Sequence, residues 1–479
     1  MFERLKEYLR GKIMNFVSPK TISEAVGVEL PVDEKMYQKI KNWKSMYSDD
    51  GEWTGKDEFL SAGIASSIVS ELSRLSTVEM EVEVLGESKR AELMREVIDK
   101  VVEDLPIQVE YAGAMGGLIL KPYLDGDVIA VDYVQADNFF PVSFNSRGEM
   151  TSVIFKEVIY KESDVYTRLE YHEQTNDIYK VINKAYKKSR GSKNNNIGEP
   201  VALDSVEEWK SLEDVSTMGA VEKPLYSYLK MPVANTVDMN SHLGMSLIGR
   251  AENLIVQAEM FWNSIQWEYD SKETAIDLNE TMLKPVYGEG GLRYEVPKGK
   301  ERLFRVFDAN KMGDETFYKV YSPEIRSEEF NKRYNQILQR IEFASGLAYG
   351  TISDPNIVAR TATEIRSSKH RSYSTVTSIQ NSIKKALEDL TSAVDIYCDL
   401  YRLGSGEYEL RSEFGDSVLV DTEKESAVRM QEVASGLLKP EEYLKWRYGY
   451  KTDEEARMVM PNYSEIADEI TDDLSHTEE

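Results

Sequence analysis

The longest amphipathic pattern in the sequence lies in residues 361–403. Apolar residues recur there mostly three or four positions apart, which is the period of an α-helix with one buried face. These positions are Ile365, Tyr373, Val376, Ile379, Ile383, Leu387, Leu390, Val394, Tyr397 and Tyr401. Thr361 and Glu364 have the spacing of a capping box, which predicts the start of the helix, and Gly404 predicts its end. At ~1.5 Å per residue, a helix of about 40 residues is roughly 60 Å long, a length that suits an assembly built around a shaft.

Two further helical patterns flank a segment of short strand-like runs. The first predicted helix covers residues 246–270. The second covers residues 323–345, where Ser322 at the N-cap and Pro323 at the first helical position mark the start. Residues 271–321 between them read as short strands and turns. The order predicts a stalk of two helices with a β insert at its tip.

The rest of the chain contains both helical and strand-like patterns. Residues 1–105 read as mainly helical, whereas residues 107–183 contain strand-like runs separated by Asp-Gly or Arg-Gly turns. After the long helix, a short strand at 408–411 precedes a helix-turn-helix pattern at 422–459 and an acidic tail. The predicted fold class is therefore α+β and predominantly helical.

Charge narrows the range of functions. The chain of 479 residues has 58 Lys and Arg against 84 Asp and Glu, a formal net charge of −26. A conventional DNA-binding protein would show a basic face, because duplex DNA is a polyanion. Two interpretations of the acidity are open: solubility alone, or a surface that lies near a polyanion without holding it.

Residue patterns typical of enzymes are weak throughout the sequence. There is no phosphate-binding Gly-x-x-x-x-Gly-Lys-[Ser/Thr] motif, and the Gly288-Glu-Gly-Gly291 cluster reads as a hairpin turn. The four histidines lack metal-site spacing, and the single cysteine, Cys398, reads as a packed thiol. We therefore expect no catalytic residues, no cofactor and no metal ion.

The sequence also gives no indication of a membrane span. No apolar run approaches the ~18 residues that cross a bilayer. Residues 1–16 form a basic amphipathic pattern, with Phe2, Leu5, Leu9 and Ile13 on one side. This segment is compatible with a docking helix or, alternatively, with contact to a membrane surface.

A basic cluster lies at the start of the long predicted helix. It comprises Arg360, Arg366, Lys369, His370 and Arg371. One interpretation is ion pairing with acids of a neighbouring helix. The other is contact with phosphate groups at the head of the long helix.

Several short motifs occur in an order that resembles tailed-bacteriophage portal proteins of phages of Gram-positive bacteria. The most specific is Ala359-Arg-Thr-Ala-Thr-Glu-Ile-Arg366 after Gly346-Leu-Ala-Tyr-Gly350-Thr, with Arg360 where the family pattern has Lys. The others are Trp43-Lys-Ser-Met-Tyr47, Ala112-Gly-Ala-Met-Gly-Gly-Leu-Ile-Leu-Lys-Pro122, Ala136-Asp-Asn-Phe-Phe-Pro141, Met231-Pro-Val-Ala-Asn235 and Leu243-Gly-Met-Ser-Leu-Ile248. The resemblance covers nearly the whole chain.

The resemblance implies a portal-type fold divided into named regions. They are a wing at 1–240, stem helices at 241–270 and 322–346, a small α/β clip at 271–321, a tunnel loop at 347–360, a long wing helix with a return strand at 361–421, and a crown with an acidic tail at 422–479. The tunnel loop would project into a DNA channel through Tyr349, Gly350, Thr351, Ile352, Ser353, Asp354, Pro355 and Asn356. Gly346 and Gly350 are expected to make the loop flexible. The basic cluster would lie near the same channel.

The implied function is that of a ring, usually of twelve subunits, at one capsid vertex. Double-stranded DNA would pass through the ring without sequence readout. The implied partners are the terminase motor, the head–tail adaptor, and the major capsid and scaffolding proteins, with no membrane. The protein would belong to the virion, and to the host cytoplasm during assembly. Twelve copies of a chain with charge −26 would carry about 300 negative charges, so DNA would slide past a repelling wall.

Two other functions are compatible with the sequence. The abundant carboxylates leave open a metal-dependent nuclease or hydrolase, although no pair of acids has the spacing of a site. The long helices also suit another phage structural protein, in the tail or the baseplate.

Overall fold

The fold is mixed helix and sheet, built from two compact units at residues 1–414 and 415–479. A computed structural model describes residues 18–50, 60–126, 128–175, 178–190, 197–272, 275–279, 283–288, 291–295, 303–307, 318–322, 324, 326–355, 362–415, 422–450 and 452–460. Helices and strands alternate through the described chain and form several separate sheets. This agrees with the α+β class, whereas the prediction of a predominantly helical chain is not confirmed.

The first unit contains seven α-helices in the described residues. They are α1 (Pro19–Val26), α2 (Glu34–Tyr47), α3 (Ile64–Thr77), α4 (Lys89–Met115), α5 (Glu252–Ser271), α6 (Ser327–Ser345) and α7 (Ala362–Tyr401). The inner face of α7 follows the predicted period, since Val376, Ile379, Ile383, Leu387, Leu390 and Val394 are all buried. Trp43 on α2 is fully buried, and Cys398 on α7 is a buried free thiol. The predicted long helix is confirmed, while its cap residue Thr361 lies outside the described residues.

Helix α4 continues ten residues beyond the predicted change from helix to strand. It passes through Pro106, which has no N–H for the helical ladder. The carbonyl of Pro106 accepts a hydrogen bond from Ser73 Oγ at 2.7 Å, and Leu105 and Val109 on either side are buried. Burial of this apolar face therefore outweighs the local cost of the proline.

Both stalk helices, α5 and α6, begin later than predicted. Helix α5 begins at Glu252 because residues 246–251 form turns, in which the Ser246 hydroxyl and the Leu247 N–H both donate to the carbonyl of Gly113. Helix α6 begins at Ser327, four residues after the predicted start at Pro323, which lies outside the described residues.

A close backbone contact fixes the end of α4. Gly116 ends the helix with φ = 95°, in the left-handed region. A Cβ at Gly116 would lie 2.5 Å from the carbonyl oxygen of Gly244, and one at Gly244 would lie 2.0 Å from the carbonyl oxygen of Gly116. Only glycine allows these two segments to approach so closely.

The strands form five sheets in the described residues. They are β1 (Met80–Leu85), β2 (Gly117–Asp125), β3 (Val128–Gln135), β4 (Phe139–Phe144), β5 (Met150–Lys161), β6 (Asp164–Gln174), β7 (Ile178–Ser189), β8 (Glu199–Val201), β9 (Val215–Gly219), β10 (Ser227–Lys230), β11 (Ala275–Asn279), β12 (Lys284–Gly288), β13 (Gly291–Glu295), β14 (Phe304–Phe307), β15 (Tyr318–Tyr321) and β16 (Glu409–Phe414). The largest has the order β4-β5-β6-β7-β8, with β9 also paired to β7, and a second has the order β10-β2-β3. The strand-like runs predicted between residues 107 and 183 are confirmed from residue 117 onward.

The insert between α5 and α6 has its own strands. Strand β11 lies between β14, to which it is parallel, and β15, to which it is antiparallel. Strands β12 and β13 form a hairpin in which Gly288 pairs with Gly291. The predicted β character of residues 271–321 and the predicted hairpin at 288–291 are confirmed for the described residues.

The described residues of the second unit form three helices, in agreement with the helix-turn-helix pattern. They are α8 (Thr422–Ala434), α9 (Pro440–Tyr448) and α10 (Asp453–Met458). Helix α10 begins with a capping box, in which Thr452 and Glu455 each accept a hydrogen bond from the backbone N–H of the other. The predicted acidic tail lies outside the described residues.

We expect Ser88→Ala to lower the free energy of unfolding by about 1–2 kcal/mol, the usual cost of losing a helix cap. The Ser88 hydroxyl accepts a hydrogen bond from the Ala91 N–H at 3.0 Å and donates one to the Glu407 carbonyl at 2.8 Å. It therefore caps α4 and ties it to the residues before β16. Urea unfolding measures the effect. Ser374→Ala, at an exposed position within α7, is the control and should change stability by a few tenths of a kcal/mol.

Candidate functional site

The predicted tunnel loop follows directly from helix α6. Gly346 ends the helix with φ = 79°, and the next residue, Leu347, is fully buried. The described part of the loop is 347–355, and Asn356 and Arg360 lie outside the described residues. The chain enters α7 at Ala362, so the loop connects the stalk to the longest described helix.

One buried carboxylate holds most of this segment. Oε1 of Glu342, on α6, accepts hydrogen bonds from the backbone N–H groups of Gly350 at 3.0 Å, Ile352 at 2.9 Å and Ser353 at 2.9 Å. Its Oε2 accepts a fourth from Ser353 Oγ at 2.9 Å. Glu342 is 0% exposed. We call this arrangement the Glu342 clamp; it satisfies a buried charge entirely with donors from the loop.

Further contacts hold both ends of the segment. Asn335 Oδ1 accepts from the Asp354 N–H at 2.7 Å, and Asn335 Nδ2 donates to the Asp354 carbonyl at 3.2 Å. At the other end, Thr375 Oγ1 on α7 donates to the Gly346 carbonyl at 3.2 Å. The described part of the loop is thus bonded to α6, and Gly346 directly before it is bonded to α7. Gly346 and Gly350 supply left-handed turn conformations with φ of 79° and 86°, and the flexibility expected of them stays a prediction.

The segment is divided into an inner and an outer side. Leu347 and Ser353 are buried, whereas Thr351, Asp354 and Pro355 are exposed. Tyr349, Gly350 and Ile352 are partly buried. Of the described loop residues predicted to face a channel, the three exposed ones are therefore available to a passing ligand.

The basic cluster is not a single patch in the described residues. The Arg371 guanidinium lies 4.3 Å from the centre of the Phe343 ring and 5.3 Å from that of Tyr349, within cation–π range. One of its terminal nitrogens, NH1, is buried without a hydrogen-bond partner. Lys369 and His370 are exposed. Arg360 and the side chains of Arg366 and Glu364 lie outside the described residues.

From the sequence, we considered ion pairing or phosphate contact for the basic cluster. Neither interpretation included the contact of Arg371 with aromatic rings. Its guanidinium packs between α6 and the loop, so it stabilises the loop's position through Phe343 and Tyr349. Of the Lys and Arg side chains of the cluster that the structure describes, Lys369 is exposed and Arg371 is partly buried.

Glu342 and Asn335 were missed by the sequence reasoning, although a signal exists. Glu342 occupies a position on the buried stripe of α6, four residues after Leu338 and directly after Ile341. Asn335 lies on the same stripe. A carboxylate on an apolar helix face needs buried donors, so its position predicts a polar partner segment but does not identify it.

A second polar cluster is buried in the large sheet. Glu170 Oε1 bonds to His172 Nε2 at 2.7 Å, and His172 Nδ1 bonds to the Tyr179 hydroxyl at 2.7 Å. Glu170 Oε2 accepts from Lys121 Nζ at 3.0 Å and pairs with an Arg168 guanidinium nitrogen at 2.9 Å. Burial alone would raise the pKa of Glu170, but Lys121, His172 and Arg168 hold it well below its usual value.

This cluster has the composition of a structural ion-pair network. Burial lowers the pKa of His172, in opposition to the neighbouring Glu170 carboxylate. His172 is 2% exposed and both its ring nitrogens are bonded within the sheet. Its groups are therefore largely satisfied by one another, and Lys121, Arg168 and Glu170 also line a cavity of about 300 Å³.

Metal ligands and membrane-spanning helices are the two remaining features that bear on function. In the parts of the chain that the structure describes, no group of three or more His, Cys, Asp or Glu side chains is arranged to hold a metal ion. Within the same residues, no helix combines the length and the apolar character needed to cross a bilayer.

Comparisons with known proteins give limited information. No model of a known protein family matches the sequence, and no curated protein matches it. Among solved structures, a chain from one described as "Neck of native GTA particle computed with C12 symmetry" aligns with 80% of this chain and 89% of that chain. The TM-score is 0.40 and the sequence identity is 12%. A similarity of this size does not assign a function.

Proposed function

We propose that this chain is the subunit of a portal-type ring, which conducts double-stranded DNA into and out of a phage capsid and carries no enzymatic activity itself. The proposal begins from the motifs that resemble portal proteins along nearly the whole sequence. It is supported by the order of elements: α5, a β insert, α6, a loop and the 40-residue helix α7.

The observation that carries the proposal is the stalk of α5 and α6. The two helices pack through aromatic rings, with Phe261 lying 5.5 Å from Phe330 and Trp262 lying 5.6 Å from Tyr334. Large apolar side chains nevertheless remain uncovered on α5, where Trp267 is 68% exposed and Met260 is 59% exposed. Identical copies packed around an axis would cover such side chains.

The charge of the chain suits a conduit for DNA. A wall of net charge −26 per copy repels the phosphate backbone and prevents tight binding. A translocating duplex presents every sequence in turn, so base readout would be a disadvantage. The exposed Thr351, Asp354 and Pro355 would be the part of the described loop nearest the DNA, and Lys369 would supply a local phosphate contact.

The remaining regions have proposed partners. The β insert would bind the terminase motor during packaging and the head–tail adaptor afterwards. The wing would contact the major capsid and scaffolding proteins, and residues 422–479 would form the crown. The nucleotide-hydrolysing motor would be a separate protein, and the ring would form part of the virion after assembly in the host cytoplasm.

We expect the purified protein to form closed rings that mass photometry and negative-stain imaging detect. Twelve copies of the 54.8 kDa chain would have a mass of about 660 kDa. Trp267→Glu should shift the protein toward monomer, because it places a charge in the apolar contact. Ile107→Glu, which changes an exposed apolar residue of α4, is the control and should leave the rings intact.

Two results would count against the proposal. One is a wild-type protein that stays monomeric at every concentration. The other is cleavage of DNA by the pure protein in the presence of Mg²⁺, which would favour the nuclease alternative. Rings found in a tail or baseplate, and not at a capsid vertex, would indicate a different structural protein.

A further inference from the structure

A groove of about 820 Å³ lies beside helix α7, away from the loop and the stalk. Its walls come from the turn between β4 and β5, the end of β6, the connection from β9 to β10, strand β10 and helix α7. All of these elements belong to the first unit. The groove is large enough to accept several side chains of a peptide segment.

The groove contains more positive than negative side chains, in contrast to the chain as a whole. The cations are Arg147, Lys223, Lys230 and Lys385, and the acids are Glu149, Glu222 and Asp389. Four cations against three acids leave one positive charge, whereas the whole chain has a net charge of −26. Two pairs form within the groove: Lys223 Nζ lies 2.8 Å from Asp389 Oδ1, and Lys385 Nζ lies 3.5 Å from Glu149 Oε1.

Lys230 differs from the paired lysines. It is partly buried on β10, and no carboxylate of the described residues forms an ion pair with it. Burial lowers the pKa of Lys230, and the neighbouring Lys385 ammonium lowers it further. The groove therefore holds a partly buried cation that forms no ion pair within the described residues and is affected by the charge of the Lys385 ammonium.

An unpartnered acceptor lies in the same groove. The side-chain oxygen of Gln174 is buried and has no hydrogen-bond donor. Its amide nitrogen donates to the Val221 carbonyl at 2.8 Å, which fixes the orientation of the side chain. A ligand that completes the groove thus brings a negative charge for Lys230, and a small shift of the Gln174 side chain would let its oxygen accept from an N–H or O–H of the same ligand.

We propose that this groove binds a carboxylate-bearing segment of a second copy of this chain. The inference rests on the proposed ring, since a ring places copies side by side. A peptide segment supplies both missing groups, because an Asp or Glu side chain carries the charge and the backbone carries an N–H donor. The acidic surface of a second copy is complementary to Lys230 and Lys385. A nucleic acid fits less well, because its backbone would bring a row of phosphates against Glu149, Glu222 and Asp389, whereas a peptide can place a single carboxylate at Lys230.

The test is the charge reversal Lys230→Glu in the full chain. Within one copy, the new carboxylate would lie near the Lys385 ammonium, so the thermal midpoint should equal or exceed that of wild type. Between copies, the Lys230 ammonium is replaced by a carboxylate that repels the carboxylate of the second copy. Self-association should therefore weaken by at least about tenfold. Sedimentation velocity over a concentration series measures both the monomer fraction and the association constant.

Two further variants make the result specific. Lys100→Glu makes the same charge change at an exposed position of α4 and should associate as wild type does. Lys230→Gln removes the charge without reversing it and should weaken association in the same direction but less. Added salt should weaken association of the wild type more than that of Lys230→Glu, because a charged contact is screened.

The outcomes separate this inference from the proposed function. Wild-type rings together with Lys230→Glu rings of equal stability would overturn the inference alone. Wild-type protein that never self-associates would overturn the inference and the ring together. Binding of a fluorescent hexaglutamate peptide to assembled wild-type rings, lost in Lys230→Glu, would show a groove still open in the ring, and would replace the second copy with an acidic segment of another protein.

Discussion

Replacement of Glu342 by Ala is expected to lower the free energy of unfolding by about 3–5 kcal/mol and to release the loop from helix α6. The Glu342 carboxylate is fully buried and accepts four hydrogen bonds from Gly350, Ile352 and Ser353. Hydrogen bonds to a charged acceptor are worth more than neutral ones, and all four donors lose their partner at once. Urea unfolding measures the total cost.

Hydrogen exchange by mass spectrometry shows where this cost arises. The peptide that covers residues 348–355 should exchange faster by at least about tenfold in Glu342→Ala, which corresponds to ~1.4 kcal/mol of local opening. Peptides from the middle of α7 should keep their protection, since Ile383 and Leu387 remain buried.

Two variants bracket the effect of the Glu342 clamp. Glu342→Gln keeps the shape but loses the charge and one acceptor, so it should cost less than Ala and still more than ~1 kcal/mol. Glu328→Ala, at an exposed position at the start of α6, should stay within about 0.5 kcal/mol of wild type. Equal losses for Glu342→Ala and Glu328→Ala would show that the clamp does not hold the loop.

The clamp also refines how the proposed tunnel loop would work. If the loop had no hydrogen bonds to the rest of the protein, its thermal motion would continually change its contact with DNA. Here Gly350, Ile352, Ser353 and Asp354 are bonded to α6, so this part of the loop would keep its position as DNA passes. In a packaging assay, Glu342→Ala should therefore impair DNA retention more than ring formation.

Local periodicity was sufficient to predict the elements that bury one regular face. Helix α7 is the clearest example, because Val376, Ile379 and Ile383 repeat at helical spacing and each is buried. The hairpin at Gly288 and Gly291 followed from turn chemistry in the same way. In these segments the sequence within a few residues contains the information that determines the conformation.

Prediction failed where distant contacts decide the outcome. Helix α4 passes through Pro106 because its buried face continues on both sides. Strand β1 pairs with β16, so that Met80 lies opposite Phe414, a partner that no local pattern identifies. The Glu342 clamp joins the loop to a glutamate on the buried, mainly apolar face of α6, and no local pattern identifies the loop as its partner. In each case a tertiary contact outweighs the local signal.

Replacement of Glu170 by Ala is expected to lower the free energy of unfolding by about 3–5 kcal/mol at neutral pH. The carboxylate is the common partner of Lys121, Arg168 and His172, whose side chains are 11%, 11% and 2% exposed. Its removal leaves two buried cations without this shared counter-charge, although Arg168 retains Glu157 at 2.7 Å. Glu173→Ala, three residues further along β6, is the matched control and should cost less than about 1 kcal/mol.

The pH dependence identifies charge as the source of this effect. The pKa of Glu170 in the folded protein lies well below 4.5, so its ionised form stabilises the fold above that pH, and the benefit is lost as the pH falls through the folded pKa. The pKa of His172 is lowered from 6.5, so the unfolded chain takes up a proton first and wild-type stability begins to fall below pH 6.5. Below about pH 4.5 the unfolded chain binds a proton that the folded Glu170 does not, so the Glu170 contribution to the difference between wild type and Glu170→Ala should shrink there, as urea titrations from pH 7 to pH 3 can measure. A difference that stays the same down to the pH at which Glu170 is protonated would show that lost packing, and not the buried charge, accounts for the destabilisation.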